Sequence, residues 1–163
     1  MAVWETNMVL IVRGLINDLV SPYTYSDDRL KELICLSGVL TQQEVTFDVV
    51  YTISLSLLTI TPDPSAEATY DADFEALVSL KTACIILSSE YTGAARAAMN
   101  IKDGPSTIDT RDRAKHLGEN ATDACDNYNK ALTNYRLGDG SVGKAIVSPY
   151  ATGRYSNEVR RFN

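Results

Sequence analysis

The chain has a single histidine, His116, and only three cysteines, Cys35, Cys84 and Cys125, spaced 49 and 41 residues apart. A zinc site asks for clustered Cys, His or carboxylate ligands, and no CxxC or paired histidine is present. An odd number of scattered cysteines predicts reduced thiols acting as small buried hydrophobes in a protein made in the cytosol. A catalytic triad needs a base beside a nucleophile and an orienting acid, and the neighbours of His116, Lys115 and Leu117, form no such motif. A solvated place on a helix face is expected for it. No GxGxxG occurs, and the one echo of a phosphate loop, "GDGSVGKA" at residues 138–145, has Ala145 where the magnesium-binding hydroxyl belongs. Pro149 follows where a helix should run. No cofactor, no metal and no enzymatic activity are expected.

A basic balance is also missing. The net charge is −6, and it is uneven: residues 137–163 carry +2, the preceding 136 carry −8. An acidic body repels phosphate, so tight binding of nucleic acid through it is excluded, whereas contact without grip is not. Long apolar runs are absent too. In "MAVWETNMVLIVRGLINDLV" a basic start is lacking and Glu5, Arg13 and Asp18 interrupt the run, so neither a signal peptide nor a membrane span is expected. No repeat or low-complexity block is visible.

What is there suits one domain with a core: 163 residues, 45% of them hydrophobic and 22% charged. Over residues 6–20, Val9, Val12, Ile16 and Leu19 recur at helical spacing beside Leu15 and Val20, with Asn17 and Asp18 opposite. That helix needs a cover, and Pro22 ends it. Ser26 as N-cap, with Asp27 and Asp28 in the first turn, opens a second helix to about Gln43, built on Leu30, Leu33, Ile34 and Leu40. Gly38 within it suits close helix packing.

Near residues 50–58 the period changes. Tyr51, Ile53, Leu55 and Leu57 alternate with Thr52, Ser54 and Ser56, the pattern of a strand. Lys102–Ile108, broken by Gly104 and Pro105, is the other candidate strand, so a neighbouring subunit is expected to supply further pairing. Asp71, Asp73 and Glu75 read as helix-start carboxylates, and Phe74 to Leu87 is apolar almost all round, which predicts a central helix. Lys81 interrupts it, either snorkelling or paired with a carboxylate such as Asp48. "YTGAARAAMN" then permits close approach of another helix or subunit. A last helix over Thr110–Leu137 places Ala114, Leu117, Ala121, Ala124, Cys125, Tyr128, Leu132 and Tyr135 on one side, and Gly138 fits a left-handed C-cap.

The closing stretch, "LGDGSVGKAIVSPYATGRYSNEVRRFN", follows no period, yet it carries Ile146, Val147, Tyr150, Tyr155, Phe162 and four of the nine glycines. Such a segment either orders on a partner, with Tyr and Arg as anchors, or folds back on its own helices.

In order along the chain, "YSDDRLKELICLSGVLTQQEVTFDVVYTISLSLLTITPDP", "FEALVSLKTACIIL", "IKDGPSTID" and "SVGKAIVSPY" resemble the adaptor, or head–tail connector, proteins of tailed bacteriophages, over about residues 25–150. The resemblance implies a mainly α, four-helix bundle-like subunit with a small β element near 50–58. Residues 1–138 would form the helical domain and 139–163 an extended C-terminal arm. It further implies a homo-oligomeric ring of twelve copies at the head–tail junction of the virion. The ring would join the portal protein to neck and tail proteins and let packaged DNA through without specific binding, with no membrane involved. The portal contacts would fall on Val142, Lys144, Ile146, Val147, Pro149, Tyr150, Arg154 and Tyr155, and the subunit contacts on Tyr51, Ile53, Leu55, Ala94 and Ala97. The alternatives are another neck component on the stopper or tail-terminator side, or a non-viral helical protein-binding module.

Overall fold

Helix α3, Ala72–Ala97, is the axis around which the other elements are arranged. The computed structural model describes residues 2–98, 100–103, 106–109 and 111–138, and over these the protein is mainly helical. Helices α1 (Trp4–Leu15), α2 (Asp27–Glu44) and α4 (Arg111–Leu137) all pack on α3. This is the arrangement its nearly continuous apolar surface requires. Two small antiparallel hairpins complete the fold, β1 (Thr52–Ser54) with β2 (Thr59–Thr61), and β3 (Asn100–Asp103) with β4 (Ser106–Asp109).

Local chemistry fixes the helix ends. The Ser26 hydroxyl accepts from the Arg29 N–H (3.3 Å) and the Asp71 carboxylate from the Phe74 N–H (2.9 Å), the N-cap bonds their residue types favour. Gly138 closes α4 with a φ of 66°. Helix α1 stops at Leu15, five residues short of the expected end. Asn17 adopts the left-handed conformation (φ 57°). The Asp18 N–H returns to the Arg13 carbonyl (2.9 Å) and the Asn17 N–H to that of Gly14 (3.3 Å), a Schellman closure. Asp18, expected on an outer helix face, is thereby turned inward and buried.

The core runs from Trp4, Met8 and Val12 on α1 through Leu30 and Ile34 on α2 to Phe74, Val78 and Ile86 on α3, with Tyr128 and Leu132 from α4. At one end of the bundle Phe47, Tyr51, Phe74 and Tyr135 pack as an aromatic group, with ring centroids of successive pairs 4.0 to 6.2 Å apart. Beyond Ile86, α3 buries no further side chain, and over residues 111–127 α4 buries only Ala114 and Ala121. The outer halves of the two long helices thus form a thin helical pair that extends past the core.

Three expectations are corrected here. The strand expected over 50–58 is a hairpin whose partner comes from the chain itself, pairing Thr52 with Thr61, Ile53 with Ile60 and Ser54 with Thr59. Leu55 and Leu57, which continue the alternation in sequence, lie in the exposed connection, where the Ser54 hydroxyl accepts from the Leu57 N–H (3.2 Å). Gly38 admits the side chain of Ile53 rather than a helix: a Cβ there would lie 2.6 Å from the Ile53 Cδ1. And the thiols are not all reduced, because antiparallel packing of α3 on α4 brings Cys84 and Cys125 together in a disulfide, Cα atoms 4.7 Å apart. Cys35 alone remains free and is buried, which pushes its thiol pKa up to about 11.

Candidate interaction surface

Two polar clamps hold the bundle at opposite ends of α2. At its start, the Arg13 guanidinium donates to Asp18 (2.8 Å), to Asp27 (2.6 Å) and to the Tyr25 carbonyl (2.8 Å), and the Tyr23 ring stacks on it at 3.9 Å. Burial opposes a charge on Asp18. The backbone N–H groups of Thr24 and Tyr25, helped by Arg13, outweigh it and hold the carboxyl below its ordinary pKa. The Tyr25 hydroxyl donates to Glu90 (2.7 Å), tying this corner to α3.

At the other end, Lys81 donates to Glu44 (2.8 Å), the Tyr128 hydroxyl donates to the same carboxylate, and Arg136 donates to the Glu44 carbonyl (2.7 Å). Lys81 also lies 4.4 Å from the centre of the Tyr128 ring. Burial again opposes the charge, and the bonds from Lys81 and Tyr128 again prevail, so the Glu44 pKa is lowered. Tyr128 is pushed up to about 12 by burial and by its bond to that carboxylate. Lys81 is therefore paired, and its partner is Glu44 rather than Asp48.

These groups are engaged in holding helices together. His116 is exposed over 76% of its side chain and faces Glu119 at 3.3 Å. Among the described residues no group of His, Cys, Asp and Glu side chains is arranged to hold a metal ion. Asp63 and Asp71 act as caps. Asp63 accepts from the N–H groups of Val3 (2.6 Å) and Trp4 (3.2 Å), which fixes the start of α1 against the β2–α3 connection.

What the surface does offer is apolar area in two separate places. One is the first 23 residues, where Val3, Leu10, Ile11, Leu15, Leu19, Val20 and Tyr23 are exposed. The other is the β1–β2 hairpin, where Val50, Leu55 and Leu57 are. Of the residues expected at subunit contacts, Leu55 and Ala97 are exposed and Ala94 is half-buried on the outer part of α3. Tyr51 and Ile53 serve the chain's own core instead. Tyr51 is 5% exposed with its hydroxyl on Asp71 (2.9 Å), and Ile53 fills the space over Gly38. The signal that misled was alternation: it marks a two-faced strand and does not say which face is covered from within. The expected portal-binding residues, Val142, Lys144, Ile146, Val147, Pro149, Tyr150, Arg154 and Tyr155, lie outside the described residues, as does the expected arm, 139–163.

Tyr91 lies over Gly118, where a Cβ would come within 3.0 Å of the ring, and an open groove of about 720 Å³ runs beside them along α3 and α4. No helix among the described residues is long and apolar enough to cross a membrane. No family model, curated protein or solved structure matches the chain.

Proposed function

We propose that the chain is a structural subunit of a tailed-phage head–tail junction, an adaptor that forms a ring joining the portal to the neck and tail and extending the DNA channel. The observation that carries this reading is the pair of separate apolar surfaces, one on α1 and the segment after it, the other on the β1–β2 hairpin. A ring closes through heterologous contacts, in which each subunit presents two different patches to its two neighbours. The proposed subunit contact centres on Leu55, with Ala94 and Ala97 on the extended helical pair. The acidic body, −8 over the first 136 residues, suits a channel wall that DNA passes without adhering. The resemblance of the four quoted stretches to adaptor proteins, and the aromatic, arginine-bearing residues 139–163, point to the portal as the partner of that closing segment.

The test is a mass measurement. The purified chain should run as a monomer and enter a ring-sized particle only when mixed with its portal. A chain truncated after Gly140 should no longer dock. Docking of the truncated chain with unchanged affinity would sink the arm assignment, and a stable ring without the portal would sink the assembly order.

A further inference from the structure

Seven of the fourteen large apolar side chains exposed among the described residues fall within the first 23 positions. Scattered surface hydrophobes are ordinary, but a concentration of this kind marks a surface that is covered by something. On α1 the inward face holds Trp4, Met8 and Val12; Leu10, 62% exposed, lies on the outward face with Ile11 beside it, and Leu15 is one turn from Ile11. Leu19 and Val20 (80% exposed) continue the apolar run, and Tyr23 is held there by its stacking on Arg13.

We infer that residues 139–163 of the same chain lie on this outer face of α1 in the isolated subunit. Three observations select that occupant. First, the segment starts where α1 starts. Tyr135, near the end of α4, packs on Phe47, and Phe47 packs on Tyr51. The Tyr51 hydroxyl bonds Asp71, whose N–H bonds Pro64, beside the Asp63 that caps Val3 and Trp4. Second, the reach suffices: an extended chain covers about 3.3 Å per residue, so a dozen residues exceed the roughly 18 Å length of a twelve-residue helix. Third, the two surfaces are complementary. The segment brings Ile146, Val147, Tyr150, Tyr155 and Phe162 with a net charge of +2, and the body it meets carries −8. The exposed Asp27 and Asp28 stand at the far end of the path, where Arg154, Arg160 and Arg161 of the segment arrive.

The contact stands independently of the adaptor reading, and its consequence rests on that reading. A portal that takes the segment lifts it from α1, and the uncovered face becomes available to a neighbouring subunit. Ring closure would then follow portal docking.

The experiment uses the isolated full-length chain, so its failure leaves the portal test untouched. Trypsin cuts after Lys144, Arg154, Arg160 and Arg161, and a covered segment is cut only from its open form. Leu10→Glu with Ile11→Glu should raise the rate of cleavage at Lys144 and Arg154 about tenfold or more, since both changes remove apolar cover from the contact. Both positions are exposed, so the melting curve should keep its shape and cooperativity, and Ile146→Asp with Val147→Asp should give the same release from the other side. Equal cleavage rates in all three proteins would overturn the inference. A rate in the unmodified chain that rises on dilution would overturn it as well, because it would assign the cover to a second copy.

Discussion

Arg13 is the side chain on which the α1–α2 corner depends, because it is buried and satisfies three acceptors at once. Replacing it with alanine leaves Asp18 as a buried carboxylate without its cation, a change that typically costs about 3 kcal/mol or more. Urea unfolding of Arg13→Ala should show that loss. The same replacement in an Asp18→Asn background should show at least about 1 kcal/mol less, as coupled neighbours do. Equal losses in the two backgrounds would refute the pairing as the source. Two serines carry the opposite prediction. The Ser37 and Ser79 hydroxyls are fully buried and have no hydrogen-bond partner. Removing an unsatisfied hydroxyl relieves its desolvation penalty, so Ser37→Ala and Ser79→Ala should each stabilise by about 1 kcal/mol. A lower melting temperature in either would show that the hydroxyl is bonded in solution.

The thin outer pair of α3 and α4 is the element least supported by the core, and the Cys84–Cys125 bridge stands at its base. The bridge spans 41 residues, for which the chain-entropy model gives about 4 kcal/mol of stabilisation. Reduction by a small dithiol should lower global stability by roughly that amount. It should also speed amide exchange more over 88–97 and 111–121 than over the helix segments around Phe74 and Ile34. Uniform acceleration would show that the outer pair is not a separate cooperative unit. Elements of this kind mark the boundary of what the sequence makes legible. The starts of α2 and α3 were readable, since Ser26 and Asp71 act within one turn of themselves. The end of α1 was not, because Asn17 taking the left-handed conformation is invisible to an apolar period that runs on to Leu19. The β1–β2 turn was hidden by the continued alternation through Leu55 and Leu57. The disulfide was hidden because only the antiparallel packing of two helices makes positions 84 and 125 neighbours. Lys81 was rightly suspected of pairing, but the choice of Glu44 over Asp48 depends on where α2 ends.

At the scale of the whole molecule, the two clamps place ionisable groups so that both acid and alkali attack the same helix contacts. Asp18 and Glu44 have pKa values held below their ordinary 3.8 and 4.5. Their charged forms favour the fold, so the contribution is complete above those ordinary values and is lost as pH falls through the lowered ones. Tyr25, Tyr51 and Tyr128 are shifted the other way, first by burial and then by bonds to Glu90, Asp71 and Glu44. Their protonated forms favour the fold. That contribution is complete below the ordinary value of 10.0 and is lost as pH rises, for Tyr128 through about 12. Stability should therefore be flat between roughly pH 5 and 10 and fall on both sides. Glu44 and Tyr128 share one hydrogen bond, which allows the two limbs to be separated. Tyr128→Phe should make the alkaline limb shallower and leave Asp18 to drive most of the acid limb. Glu44→Gln should flatten the acid limb and, by removing the charge that raises Tyr128, move the alkaline fall toward lower pH. Denaturant midpoints measured across pH for the three proteins decide it: an alkaline limb unmoved in Glu44→Gln would mean that burial alone, and not the shared bond, holds the Tyr128 proton.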